Sequence, residues 1–185
     1  PLRRQRQMCI RDRALNIATA SRGNDHLRSR PAIDLYHLPE PVLRKIYSQP
    51  VPYDGPLTSD FRDYEGKPWQ VFWHENCYMA VDSLGICKYH TTFLGATHPN
   101  FEEWSKLIYL VTGLEMSPLD IWTAAERANN LERMFNLREG LTRKDDWLVD
   151  RYFDLPNPLG MPSVRGLSID REKFTKMIDE FYQHH

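Results

Sequence analysis

Apolar residues fall at helical spacing in several stretches of the chain, and no alternating run is long enough for a convincing strand. Phe101, Trp104, Leu107, Ile108 and Val111 repeat on one side of a helix that Asn100 can cap, with Glu103 at the third position and Gly113 at the end. Ser117 followed by Pro118 opens another helix, which presents Ile121, Ala124, Ala125, Ala128, Leu131 and Phe135 on one side and ends by Gly140. Asp170 caps a last helix with Phe174, Met177, Ile178 and Phe181 inward. Pro39 and Pro41 ahead of Val42, Leu43 and Ile46 predict a short helix. From Trp69 to about Val81 apolar groups fall on more than one face, which predicts a largely buried helix. Residues 14–30 read as a loop or short buried turn. Residues 48–68 and 141–167 read as irregular, punctuated by Pro and Gly. The fold class is mainly α, an irregular helical domain with long loops.

Composition narrows the class of protein. With 185 residues and 41% hydrophobic content the chain suits one globular domain. No apolar run approaches the ~18–20 residues of a membrane span. Net charge is −1, and residues 1–13 alone carry five Arg and one Asp, so residues 14–185 carry −5. That acidic remainder argues against a nucleic-acid partner. Three cysteines at irregular spacing make a disulfide scaffold unexpected and point to a reducing, cytoplasmic setting. Met8-Cys9-Ile10-Arg11-Asp12-Arg13 resembles the translated end of a transposon-derived sequencing adapter. Residues 1–13 are therefore expected to be a non-native tail, and residues 14–185 a helical domain truncated at both ends.

Candidate chemistry concentrates in two places. His74 and Cys77, then a nine-residue spacer, then Cys87 and His90 form an H-x2-C…C-x2-H pattern. A structural zinc site, two core cysteines and some other ligand role are all open on that spacing. Asp82, Gly85, Ile86 and Cys87 form the second. An Asp at the end of a buried helix can offer its carboxylate to the ring N–H donors of a ligand, and Gly85 permits close approach. A cysteine two residues on can reach a metal or cluster as its thiolate.

This segment resembles the D-x-x-G-L-C pterin signature of the tungsten-containing aldehyde:ferredoxin oxidoreductase family, with Ile86 in place of Leu. Ala18-Thr19-Ala20-Ser21-Arg22-Gly23-Asn24-Asp25-His26-Leu27-Arg28 is similar to that family's A-T-S-x-R-G-x-x-H-L-R segment. Glu126 to Gly140 resembles its E-R-x-x-N-L-E-R-x-F-N-x-R-E-G helix, and Thr142 to Asp146, Leu148 and Arg151 match the stretch that follows. The resemblance covers Ala14 to Tyr182 and implies the C-terminal helical part of a much longer enzyme. It implies that Asp82 and the Gly85-Ile86-Cys87 backbone hold one pterin of a tungsten bis-molybdopterin. Cys87 becomes the fourth ligand of a [4Fe–4S] cluster, and His26, an imidazole beside the tungsten, the proton carrier. Arg22, Arg28 and Arg30 could meet pterin phosphates or an anionic substrate, or form ion pairs. The Arg and Glu residues between Glu126 and Arg143 are expected to form ion pairs tying helix to loop.

The chain departs from the pattern in several respects: the C-x-x-C-x-x-x-C motif that supplies the other cluster ligands, the first pterin signature and the β-rich N-terminal domain are absent, and the Pro-rich segment between His26 and Cys87 is longer. The polypeptide in hand is expected to be inactive alone and to need the N-terminal part of the same chain. Ferredoxin or an iron–sulfur subunit is the expected electron partner, and a homo-oligomer is compatible. Aldehyde oxidation to carboxylic acid is the leading reaction. The alternative is the tungsten subunit of an ATP-independent benzoyl-CoA reductase, with Trp69, Phe72 and Trp73 as a ring slot, residues 48–68 as a lid, and Arg28 and Arg30 as phosphate contacts. A non-catalytic helical module with a His/Cys zinc site is the rival from another class. Asp82, Gly85 and Cys87 are expected to converge at the end of the buried helix, facing a cavity.

Overall fold

A computed structural model describes residues 11–23, 25–29, 36–91, 100–156 and 165–185. Its centre is α3 (Lys67–Leu84), whose residues from Lys67 to Val81 are all buried. The sequence dictates this, because Trp69, Val71, Phe72, Trp73, Tyr78, Met79 and Val81 point in every direction around the helix. Three helices surround it: α1 (Arg11–Thr19), α5 (Pro118–Arg138) and α7 (Arg171–Gln183). α4 (Phe101–Thr112) packs on α5. α2 (Glu40–Tyr47) brings Leu43 and Tyr47 into the core, and α6 (Arg151–Asp154) brings Phe153. No strand occurs among the described residues, so the mainly α reading holds.

Most helix ends follow the local chemistry of their caps. The Asn100 side chain accepts from the Glu102 N–H at 3.0 Å, and Glu103 accepts from the Asn100 N–H at 3.0 Å. Ser117 and Asp120 exchange the same kind of bonds at the start of α5. Asp170 Oδ1 accepts from the Lys173 N–H at 2.9 Å. Phe174, Met177, Ile178 and Phe181 of α7 are buried, as their spacing predicts.

Two expectations need correction. Residues 14–30 are not all loop, since Ala14 to Thr19 belong to α1. Ala14, Leu15, Asn16, Ile17 and Ala18 are buried on every face, so this helix carries no amphipathic period to read. Its first turn is Arg11–Arg13, where Arg11 Nη2 donates to the Ser168 carbonyl at 3.0 Å and the guanidinium lies over the Tyr64 ring. Residues 1–10, with Cys9, lie outside the described residues. The second correction concerns α5. Ile121 and Ala125 are buried, but Ala124, Leu131 and Phe135 are exposed. Beyond Asn129 the helix turns the apolar side expected to face the core out to solvent.

Residues 48–66 wrap the N-terminal half of α3. Trp69 Nε1 donates to the Tyr47 carbonyl at 2.8 Å and Trp73 Nε1 to the Gln49 carbonyl at 2.6 Å. Lys67 Nζ and Gln70 Nε2 both donate to the Thr58 carbonyl, at 3.1 and 3.0 Å. Gly66 sits where this wrap closes, with φ of 73° and the Pro56 carbonyl oxygen 2.3 Å from where a Cβ would stand. Only glycine fits both conditions.

Candidate functional site

The C-terminal end of α3 gathers the three segments that the sequence singles out. Gly85 closes the helix in the left-handed region at φ 68°, and the Ile86 N–H returns to the Val81 carbonyl at 3.1 Å. That closure turns Asp82 and Cys87 outward to solvent, with Ile86 partly buried between them and the core. Cys87 is extended, and the turn Lys88–His90 follows it.

The His26 segment lies against this end. Lys88 Nζ donates to Asp82 Oδ2 at 2.8 Å and to the Leu27 carbonyl at 2.8 Å. Arg28 Nη1 lies 3.5 Å from the same Asp82 oxygen, and Arg28 Nη2 pairs with Glu132 of α5. Glu132 also accepts from the Ser21 hydroxyl, while Asn136 Nδ2 donates to the Ser21 carbonyl at 2.6 Å. Ser21, Leu27 and Arg28, Asp82 and Lys88, and Glu132 and Asn136 therefore meet in one place. Burial pushes the Arg28 guanidinium below its ordinary value, and the nearby Arg22 charge adds to this against the pull of Asp82. Exposed His26 follows Asp25, whose carboxylate pairs with Arg22 and accepts from the Leu27 N–H.

Beneath the surface, Arg133 ties four helices. Its Nη2 donates to Glu75 Oε1 of α3 at 2.7 Å and its Nη1 to the Thr19 carbonyl of α1 at 3.2 Å. The guanidinium lies over the Phe181 and Tyr182 rings of α7. Burial works to raise the Glu75 carboxyl. The Arg133 charge and the hydrogen bonds from His185 and Arg133 overcome it, so Glu75 ends below the ordinary carboxylate range. Burial raises Asp146 against its Tyr182 hydrogen bond, and burial with the Asp146 contact raises the Tyr182 phenol. The expected tie of helix to loop is present as Arg28–Glu132, whereas Arg133 pairs with Glu75 of α3 and Arg143 with Asp179 of α7, partners outside the 126–143 run. Neither Glu75 nor Lys88 stood out in the sequence, because burial and a contact across 61 residues leave no local pattern.

Several sequence readings fail here. His74 is fully buried in mid-helix, its Nε2 is 3.0 Å from the Tyr47 hydroxyl, and burial pushes the imidazole down to about 3. Cys77 is also buried, whereas Cys87 and His90 are exposed beyond the helix end. Helical rise separates His74 from Leu84 by about 15 Å. Among the described residues no group of three His, Cys, Asp or Glu can hold a metal ion, so the zinc site is overturned. Trp69, Phe72 and Trp73 are core side chains and form no ring slot: Trp69 and Phe72 stack among Tyr53, Trp122 and His184, and Trp73 meets Tyr47 and Phe101 edge-on. Residues 48–66 grip the other half of α3 from Cys87, and Arg30 lies outside the described residues. No ring slot or lid for an aromatic thioester stands beside Cys87 among the described residues. Asp82, Gly85 and Cys87 do share one end of α3, but they open to solvent. A cleft of about 430 Å³ lies elsewhere, on the Ser21 and Gly23 side of the His26 loop, among Arg133, Asn136, Trp147 and Tyr182.

The end of α3 thus carries an exposed carboxylate, a left-handed glycine and an exposed thiol within six residues, 82 to 87. The family model for aldehyde ferredoxin oxidoreductase, domains 2 and 3, matches residues 5–185, and the chain belongs to that family. The tungsten-containing aldehyde ferredoxin oxidoreductase of Pyrococcus furiosus is 35% identical over 81 residues, 43% of this chain and 13% of that protein. Those of Thermococcus kodakarensis and Pyrococcus horikoshii are 28% and 29% identical over 147 residues, 79% of this chain and 21% of each relative. The chain thus spans 13–21% of the length of these curated relatives.

The family implies a tungsten-bearing pterin and an iron–sulfur cluster, and the residues present fit a share of both. The Lys88 hydrogen bond falls on Asp82 Oδ2, Arg28 lies nearest the same oxygen, and no hydrogen bond between described residues is made to Oδ1. A Cβ on Gly85 would meet nothing within 4 Å, so a flat ring can approach the backbone there. Of the two described cysteines, Cys87 is the exposed thiol. No described helix is long and apolar enough to cross a membrane.

Proposed function

We propose that this chain forms part of a tungstopterin oxidoreductase that oxidises aldehydes to carboxylic acids and passes the electrons to ferredoxin. The observation that carries the reading is the meeting of the Asp82–Cys87 turn with the His26 loop, joined through Lys88 and Arg28. The reaction converts an aldehyde and water into a carboxylic acid, two protons and two electrons. The bound cofactors supply the redox chemistry, two-electron at the metal and one-electron at the cluster.

The chain's own residues have narrower tasks. Asp82 Oδ1 accepts from pterin ring N–H groups, while its Oδ2 stays fixed by Lys88 and Arg28. Gly85 and Ile86 present backbone to the ring edge. Cys87 contributes one thiolate of the four a [4Fe–4S] cluster takes, and the rest of the enzyme supplies the others. His26, exposed on its loop, accepts one of the protons released and returns it to solvent. Ferredoxin or an iron–sulfur subunit receives the electrons.

The test is turnover by the intact enzyme, purified without oxygen, with simple aliphatic aldehydes and ferredoxin. The reading predicts acid formation, bound tungsten and iron, and a releasable pterin fluorophore. Stoichiometric zinc without tungsten or pterin would sink it. Activity on aromatic thioesters alone would return the reductase reading.

A further inference from the structure

Lys88 opens the turn after Cys87, and its side chain is only 17% exposed. The stem folds back over Tyr78 of α3, bringing the ammonium 5.3 Å from the ring centroid. An ammonium has three donors. One goes to Asp82 Oδ2 at 2.8 Å and another to the Leu27 carbonyl at 2.8 Å. Leu27 directly follows His26. Arg28 also faces Asp82, but at 3.5 Å it attracts the carboxylate without forming a good hydrogen bond, and its other nitrogen is held by Glu132. Lys88 is thus the group bonded at once to the Asp82 carboxylate and to the backbone of the His26 loop.

We propose that Lys88 is a positioning residue of the reaction. It fixes the Asp82 carboxylate with Oδ1 free for the pterin, and it sets the His26 loop at a constant distance from that carboxylate. Tyr78 acts as a shelf that keeps the lysine stem from swinging into solvent. The inference rests on the reading that Asp82 holds a pterin and His26 handles the proton.

The test compares Lys88→Met and Lys88→Arg with the native residue in the intact enzyme. Amide exchange across residues 25–29 reads the tie without any cofactor. Pterin content after gel filtration and separate kcat and KM values read the positioning. Lys88→Met is expected to speed exchange of that segment about fivefold and to lower pterin content by about half. It is expected to lower kcat about tenfold with KM little changed, because the groups are misplaced rather than absent. Lys88→Arg, which keeps the charge and the donors, is expected to restore most of each. Unchanged exchange in Lys88→Met overturns the tie. Faster exchange with full pterin and native kcat overturns the positioning role and leaves only a loop anchor. If the native enzyme itself holds no pterin, the functional reading fails, and exchange alone then reports on the Lys88 tie.

Discussion

Replacing Arg133 by Met keeps much of the side-chain volume and removes the charge that faces Glu75. Glu75 and Arg133 side chains are 4% and 12% exposed and 2.7 Å apart, so solvent screens the pair little. Removing one partner of a buried pair costs about 3–5 kcal/mol, because the other charge is left without compensation. His185 still reaches Glu75 at 3.1 Å, so the low end, about 3 kcal/mol at pH 7, is expected. The pH dependence has a definite sign. Arg133 holds Glu75 below the ordinary carboxylate range, so in the native protein this stability is present above that range and is lost as pH falls through the folded-state value. Without Arg133, burial dominates and Glu75 rises, so the variant gains relative stability on acidification. The gap should shrink to under about 1 kcal/mol near pH 4. Urea unfolding of both proteins at pH 7 and pH 4 measures it, and Glu75→Gln combined with Arg133→Met should recover about half the loss at pH 7. A cost under about 1 kcal/mol at pH 7, or a gap independent of pH, would refute the buried ion pair as the tie between α1, α3, α5 and α7.

Two further outcomes follow from the same structure. Gly66→Ala combines a left-handed φ of 73° with a clash against the Pro56 carbonyl, and should cost about 2 kcal/mol or more in thermal unfolding. Gly23→Ala, at φ 71° with nothing within 4 Å, should cost about 1 kcal/mol, and equal losses would show that the Pro56 contact relaxes. In protein freed of metal, a maleimide reagent should modify Cys87 rapidly and Cys77 only on unfolding, read by peptide mass spectrometry. Equal rates at the two thiols would contradict the burial of Cys77.

What the sequence made legible was whatever repeats locally. The caps at Asn100, Ser117 and Asp170 and the inward face of α7 follow from side chains within a few residues of one another. α1 escaped because Ala14 to Ala18 is buried on all faces and shows no stripe. The exposed Leu131 and Phe135 were misplaced because apolar spacing names a face without naming what covers it. At the site, Asp82, Gly85 and Cys87 were readable as a motif, and the end of α3 places them together. The Lys88 link to Leu27 and the Glu75–Arg133 pair depend on tertiary approach, which composition and spacing do not encode. The burial of the aromatic run from Trp69 to Tyr78 was readable from apolar groups on every face, and packing removes the ring slot.

The most direct test of the account is the iron–sulfur signal of the intact enzyme carrying Cys87→Ala. Cys87 is exposed and its backbone is extended, so the substitution should leave folding and thermal stability unchanged. The account predicts loss of the [4Fe–4S] spectrum in electron paramagnetic resonance and a fall in bound iron, with the native spectrum present in the unsubstituted enzyme. A Cys87→Ala enzyme that keeps the native spectrum and full iron would contradict it.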